Sequence, residues 1–242
     1  MFDFLEDKSE QAAIDRIRAR LQADPDAFLA DCQTACGRAS AAPLANLLLS
    51  IDAAIVDRLS ALSLFARRCV DNLPMPKGVF VTAEDRRRAY LYMMDALPTL
   101  HRQAQALQRT TTEFLQVDRL AATQRQASLV ARQQLSAALL IQQGDKTLSL
   151  PYTTLSESLK KEIESTRSLS ALAGKQTELL IGFHKTTVVC FFARAEQVAD
   201  LQNQGRAADP FGTANLLDRL AREADLLADE ILLTRQKISK LS

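Results

Sequence analysis

Breakers are scarce in this chain of 242 residues, which has seven glycines and seven prolines. That is about 6% together, against an average near 12%. A β-rich fold needs a turn every 8–12 residues or so, and Gly and Pro supply many of them. The shortage argues against such a fold. Between Pro98 and Gly144 there is neither residue, and from Thr213 to Ser242 again neither. Between Thr154 and Gln204 there are only Gly174 and Gly182. Uninterrupted runs of that length exceed the usual ~10–14-residue helix of a globular protein.

Catalytic residue types are scarce as well. Tryptophan is absent, and there are only two histidines, His101 and His184. Neither has an orienting acid and a nucleophile in its sequence neighbourhood, as a catalytic His needs. A site assembled from distant residues such as Tyr90, His101 and His184 is the one enzymatic arrangement left open. Cys32 and Cys36 share a helical face at i, i+4, but no second Cys or His pair completes a zinc set of about four ligands. They read as small hydrophobes facing a core. Gly78 and Gly174, the glycines beside lysines, lack the spacing of a phosphate loop. Adjacent acids such as Glu84–Asp85 and Asp229–Glu230 point to different helix faces and form no dyad. No cofactor or metal site is expected, and the chain reads as non-enzymatic.

Long hydrophobic runs are also missing. No segment offers ~18 uncharged apolar residues, so no conventional membrane span is expected. The acidic start, Met1-Phe2-Asp3-Phe4-Leu5-Glu6-Asp7, does not resemble a signal peptide. With four cysteines and no export signal, a reducing cytoplasm is the expected setting.

Helix-forming residues dominate, with Leu, Ala, Gln and Arg abundant. A short first helix is predicted over about Ser9–Gln22, with Ala13, Ile14, Ile17 and Leu21 on one face. Asp24 is the expected N-cap of a second, with Pro25 at its first position. That helix carries Phe28, Leu29, Cys32 and Cys36 and stops at Gly37. Pro43 opens a third helix, running to about Val70. Its Leu47, Leu48, Ile51, Ala54, Ile55, Leu59, Leu62, Leu64 and Phe65 wrap over half its circumference, so it should be central.

The Pro74–Gly78 break follows, then Val79-Phe80-Val81, expected to be extended or to staple onto the next helix. Thr82 and Asp85 form a capping-box-like start. Pro98 is expected to kink or divide the fourth helix, which continues to about Gln143. Its polar middle, Ala122 to Ser128, is expected to be weakly packed or an interaction face.

A loop is predicted from Gly144 to Pro151, with Thr153 or Thr154 capping the fifth helix. That helix bears an apolar line from Leu155 through Leu180, Phe183, Val188 and Phe191 to Leu201. Phe183, Val188 and Phe191 follow steps of five and three. Residues 179–192 are apolar nearly all round except His184-Lys185-Thr186-Thr187, so they face either a core or a lipid or partner surface. After a break at Gly205–Gly212, the sixth helix carries Leu217, Leu220, Ala224, Leu227, Ile231, Thr234, Ile238 and Leu241 in steps of three and four. That is an a/d line of nearly four heptads.

The expected fold is therefore all-α. It is an elongated antiparallel bundle with long coiled-coil-like helices and two short N-terminal helices, a single domain over 1–242. A sub-division into 1–72 and 82–242 is possible. Net charge is +1 but uneven, with eight acids against four bases in 1–31 (−4) and eleven bases against six acids in 66–132 (+5).

Without chemistry to assign, the expected function is that of an interaction or scaffold protein, with a protein partner or self-association. The candidate surface is Leu217, Leu220, Leu227, Ile231 and Ile238, with the basic cluster Arg86, Arg87 and Arg88. No nucleic-acid partner is expected, since three arginines without stacking aromatics make a poor site. A membrane-associated or membrane-active protein is the second reading, motivated by 179–192 and the base-rich fourth helix, and it is not favoured.

Overall fold

A computed structural model describes residues 3–76, 80–142, 144–205 and 210–241. About 90% of the chain is helical, and no described residue lies in a strand. The helices are α1 (Asp3–Ala23), α2 (Pro25–Arg38), α3 (Ala42–Asp71), α4 (Ala83–Ile141), α5 (Lys146–Phe183), α6 (Val189–Asn203) and α7 (Gly212–Ile238). A π-helical turn, His184–Val188, joins α5 directly to α6. The chain folds as the all-α helical bundle that its shortage of breakers implies.

Local signals set most boundaries. Asp24 caps α2 by accepting from the N–H of Ala27 at 3.0 Å, with Pro25 in the first turn. At the start of α4, Thr82 and Asp85 bond reciprocally: Thr82 N–H to Asp85 Oδ2 at 3.0 Å, and Asp85 N–H to Thr82 Oγ1 at 3.1 Å. Those bonds from Thr82 hold the Asp85 carboxyl below its usual range, aided by Arg88. Gly205 ends α6 with φ +68°, the left-handed position where a glycine costs least.

One local expectation is corrected and two are narrowed. Pro98 lies inside α4 and does not divide it. The fifth helix starts at Lys146, not after Pro151, because Asp145 Oδ1 accepts from the N–H of Thr147 at 2.8 Å and of Leu148 at 3.2 Å. Pro151 lies inside α5, beyond its first turn, and forgoes one i→i−4 bond there. Phe80 is 84% exposed and staples onto nothing, while Val79 lies outside the described residues.

The residues pack as two compact units. Unit 1 comprises Met1–Asn46, Gln116–Ala171 and Leu241–Ser242, and unit 2 comprises Leu47–Leu115 and Leu172–Lys240. The line of division runs through α3, α4 and α5, while the break at 72–82 lies wholly inside unit 2.

Unit 1 is built on Leu21, Phe28, Cys32, Ala39, Ala131, Leu135, Ala138, Tyr152 and Leu159. Burial pushes the Cys32 thiol up to about 11, so it packs as a neutral hydrophobe, as its helical face predicts. The polar middle of α4 is not weakly packed. Gln124 and Ser128 are buried, and Gln124 Nε2 donates to the Ser40 carbonyl at 2.6 Å. Opposite, Glu162 Oε2 accepts from the N–H of Ala41 at 2.6 Å. The polar residues of α4 and α5 thus hold the turn from which α3 starts, and a carboxylate suits that N-terminus.

Unit 2 is ordered by antiparallel neighbours. Arg58 on α3 reaches the Ala106 carbonyl and Thr110 on α4, while the Arg68 carbonyl accepts from Tyr92 at 3.5 Å. As α3 advances, its partners on α4 recede. The same inversion joins Lys175 of α5 to Glu230 of α7 at 2.8 Å, and Thr187 of the π-turn to Glu223. Leu48, Ile51, Ile55, Leu59 and Leu62 of α3 are buried, as expected of a central helix. One 18-residue window between Pro25 and Asp71 reaches a mean hydropathy of 1.6, long and apolar enough to cross a membrane by composition. That window is 44% buried, and a core helix passes the same test of length and composition. The expectation concerned uncharged runs, and Asp52 interrupts the apolar stretch of α3.

Candidate functional site

The irregular point of unit 2 is the π-turn, His184–Val188. Its cause is visible in the rhythm of buried positions. Along α5 these are Leu169, Ala173, Gln176, Leu180 and Phe183, in steps of four and three. Thr187 in the turn is buried too, and after it come Val188, Phe191, Ala195 and Val198, again in threes and fours. An unbroken rhythm would run on from Thr187 to 190 and 194, one residue before Phe191 and Ala195. The chain carries one extra residue, and the turn absorbs it by an i→i−5 bond from the Val189 N–H to the His184 carbonyl. The step of five between Phe183 and Val188 is the mark of this insertion in the sequence.

The π-turn borders three open grooves of unit 2. The first, of about 510 Å³, lies between α5 and α7 and includes Phe183, Thr186, Glu223 and Leu226. The second, of about 340 Å³, lies between α4 and the π-turn with α6, and includes His101, His184, Val188, Phe192 and Glu196. The third, of about 410 Å³, lies between α4 and α5, and includes Leu107, Leu115, Leu180, Ile181 and His184. His184 stands at the edge of two of these grooves and Thr186 at the other. π-turns inside α-helices are frequent at functional sites.

Polar contacts fix the turn. Thr186 Oγ1 donates to the Gly182 carbonyl at 2.9 Å. The Thr187 hydroxyl donates to Glu223, which also accepts from Arg219 Nε at 2.6 Å. Burial works to raise the Glu223 carboxyl, but the bonds from Thr187 and Arg219 and the Arg219 charge outweigh it and hold it below its usual range. Glu223 is thus an ionised acceptor that ties the turn to α7.

The two histidines, far apart in sequence, share the second groove, and Tyr90 is not among its lining residues. His101 stacks edge-on against Phe192 with centroids 5.2 Å apart, and its Nε2 pairs with Gln105 Nε2 at 2.7 Å. Among the described residues no group of three or more His, Cys, Asp or Glu is placed to hold a metal ion.

The residues singled out from sequence fall elsewhere. Leu217, Leu220, Leu227, Ile231 and Ile238 form the buried face of α7, packed within the chain. Arg86, Arg87 and Arg88 sit just inside the start of α4, where Arg88 pairs with Asp85 at 2.8 Å and Arg87 is exposed. In the 179–192 stretch, Leu180, Phe183, Val188 and Phe191 belong to the core, while Ile181, Val189 and Cys190 are exposed. Comparison with models of known protein families, with curated proteins and with solved structures finds no match.

Proposed function

We propose that this protein acts by binding another protein, as a non-enzymatic interaction or scaffold protein. The supporting observation is the third groove, between α4 and α5. Leu115 and Ile181 are 59% and 43% exposed there, beside the buried Leu107 and Leu180. On α4 the lining residues Leu107, Thr111 and Leu115 recur every four residues, about 12 Å of helix. A trough of that length, apolar at its base and open along the top, suits two to three turns of a partner's amphipathic helix. The heptad line of α7 is occupied within the chain, so a partner would meet grooves of this kind. The four cysteines are free thiols, which suits the cytoplasmic setting that belongs to this proposal.

The test replaces both rim residues, Leu115→Glu with Ile181→Glu, and checks by circular dichroism that the variant keeps its helix. Affinity capture from the native host is then compared for the two proteins, with sedimentation velocity over a range of concentrations to detect self-association. A partner, or a second copy, held by the native protein and lost from the folded variant is the expected result. Equal capture by both, or a native protein that stays monomeric and captures nothing, refutes the reading.

A further inference from the structure

A different groove, in unit 1, carries a ligand chemistry of its own. It lies between α4 and α5 and encloses about 410 Å³. Its lining comprises Arg125, Ser128, Leu129 and Arg132 from α4, with Ile163, Thr166, Arg167 and Ser170 from α5. On each helix these fall at i, i+3, i+4 and i+7, a single face. Three guanidiniums therefore edge one cavity, and none of its lining residues is acidic.

None of the three arginines has an ion pair among the described residues, and Arg125 reaches only the carbonyl of Ala121, at 3.3 Å. The neighbouring Glu162 is engaged at the N–H of Ala41. From Arg119 to Gly144 the sequence of α4 and its end contains no acid. The arrangement departs from a simple basic face because of what lies between the arginines. Ser128 and Ser170 donate to the carbonyls of Gln124 and Thr166, at 2.8 and 2.9 Å. Thr166 is 4% exposed and its hydroxyl has no partner. A buried hydroxyl without a partner is costly, and an incoming acceptor would relieve it. Leu129 and Ile163 add an apolar wall to the same cavity.

Planar guanidiniums match the oxygens of phosphate through paired hydrogen bonds. We propose that this groove binds a phosphate monoester, with Arg125, Arg132 and Arg167 on its oxygens, the Thr166 hydroxyl as a further donor, and the ester's organic group against Leu129 and Ile163. The phosphate has two possible sources, a soluble phosphate ester or the headgroup of an anionic phospholipid. The site is separate from the groove of the proposed protein partner, and neither reading depends on the other.

Titration calorimetry of the full chain with phenyl phosphate tests the chemistry, and co-sedimentation with phosphatidic acid vesicles, against phosphatidylcholine vesicles, tests the lipid source. Arg132→Gln and Arg167→Gln are at exposed positions, where substitutions seldom disturb folding. Arg87→Gln is an exposed control outside the groove. Saturable binding in either arm, weakened at least about tenfold by each groove substitution and unchanged by Arg87→Gln, is expected. Phenyl phosphate binding without vesicle binding identifies a soluble ester, and vesicle binding confined to phosphatidic acid identifies a lipid. Absence of saturable binding in both arms overturns the proposal, as does equal loss with Arg87→Gln or affinity that survives both groove substitutions.

Discussion

Asp52→Asn should stabilise this protein at neutral and higher pH. Asp52 lies on α3, fully buried, and accepts from Gln176 Nε2 at 2.9 Å through Oδ1. Its Oδ2 has no partner, and neither does Gln176 Oε1. Burial raises the carboxyl from 3.8 to about 6, against the opposing effects of the Gln176 bond and the Arg235 charge. The folded chain therefore holds this proton more tightly than the unfolded chain. The associated stability is fully present below the unfolded value near 3.8 and is lost as pH rises through about 6. A tenfold change in proton affinity is worth about 1.36 kcal/mol, so the loss is on the order of 3 kcal/mol by pH 8.

Asparagine is neutral throughout, keeps an acceptor for Gln176 Nε2, and presents an amide donor in place of Oδ2. The assay is urea unfolding of both proteins at intervals from pH 4 to pH 8. The variant should be more stable by about 1–3 kcal/mol at pH 8, with the difference shrinking towards zero at pH 4. Other groups, such as the depressed Glu223 and Asp85, cancel in that difference. A constant difference across the range, or a variant less stable at pH 8, would refute the reasoning.

Two further substitutions test the core and the π-turn. Phe191 is 1% exposed and stacks edge-on with Phe192 at 5.1 Å, so Phe191→Ala should cost ~3–5 kcal/mol in urea unfolding. A change below about 0.5 kcal/mol would place it on a surface instead. Thr187→Val removes a donor from Glu223, so its carboxyl should titrate higher by carbon-detected NMR, and unfolding free energy should fall by about 1–2 kcal/mol. An unmoved Glu223 titration would mean that Arg219 alone sets its charge.

Much of the fold was legible because its signals are local. Asp24 with Pro25, Thr82 with Asp85, and Gly205 each act within a few residues, and each marks a helix end. The three-and-four rhythm of α7 identified its buried face correctly, since amphipathic periodicity reports burial. Periodicity does not report what covers a face. The same Leu217–Ile238 line could close a bundle or meet another chain, and only the antiparallel packing of α7 within unit 2 placed it inside. The polar stretch of α4 shows the same limit. Gln124 reads as surface in its own helix, and it is buried because the turn before α3 presents a carbonyl that needs a donor.

The sequence by itself determined that the chain is helical, where most of its helices begin and end, and which faces turn inward. Those properties depend on backbone sterics, capping bonds and side-chain spacing, which act over a few residues. Tertiary structure decided that His101 and His184 share a groove, that Arg125 and Arg132 stand beside Arg167, and that Asp52 meets Gln176. Each of these depends on the register of one helix against another, fixed by packing between segments tens of residues apart. The π-turn lies between the two cases. Its extra residue is present in the five-residue step from Phe183 to Val188, but only packing on both sides of the turn forces the helix to accommodate it there.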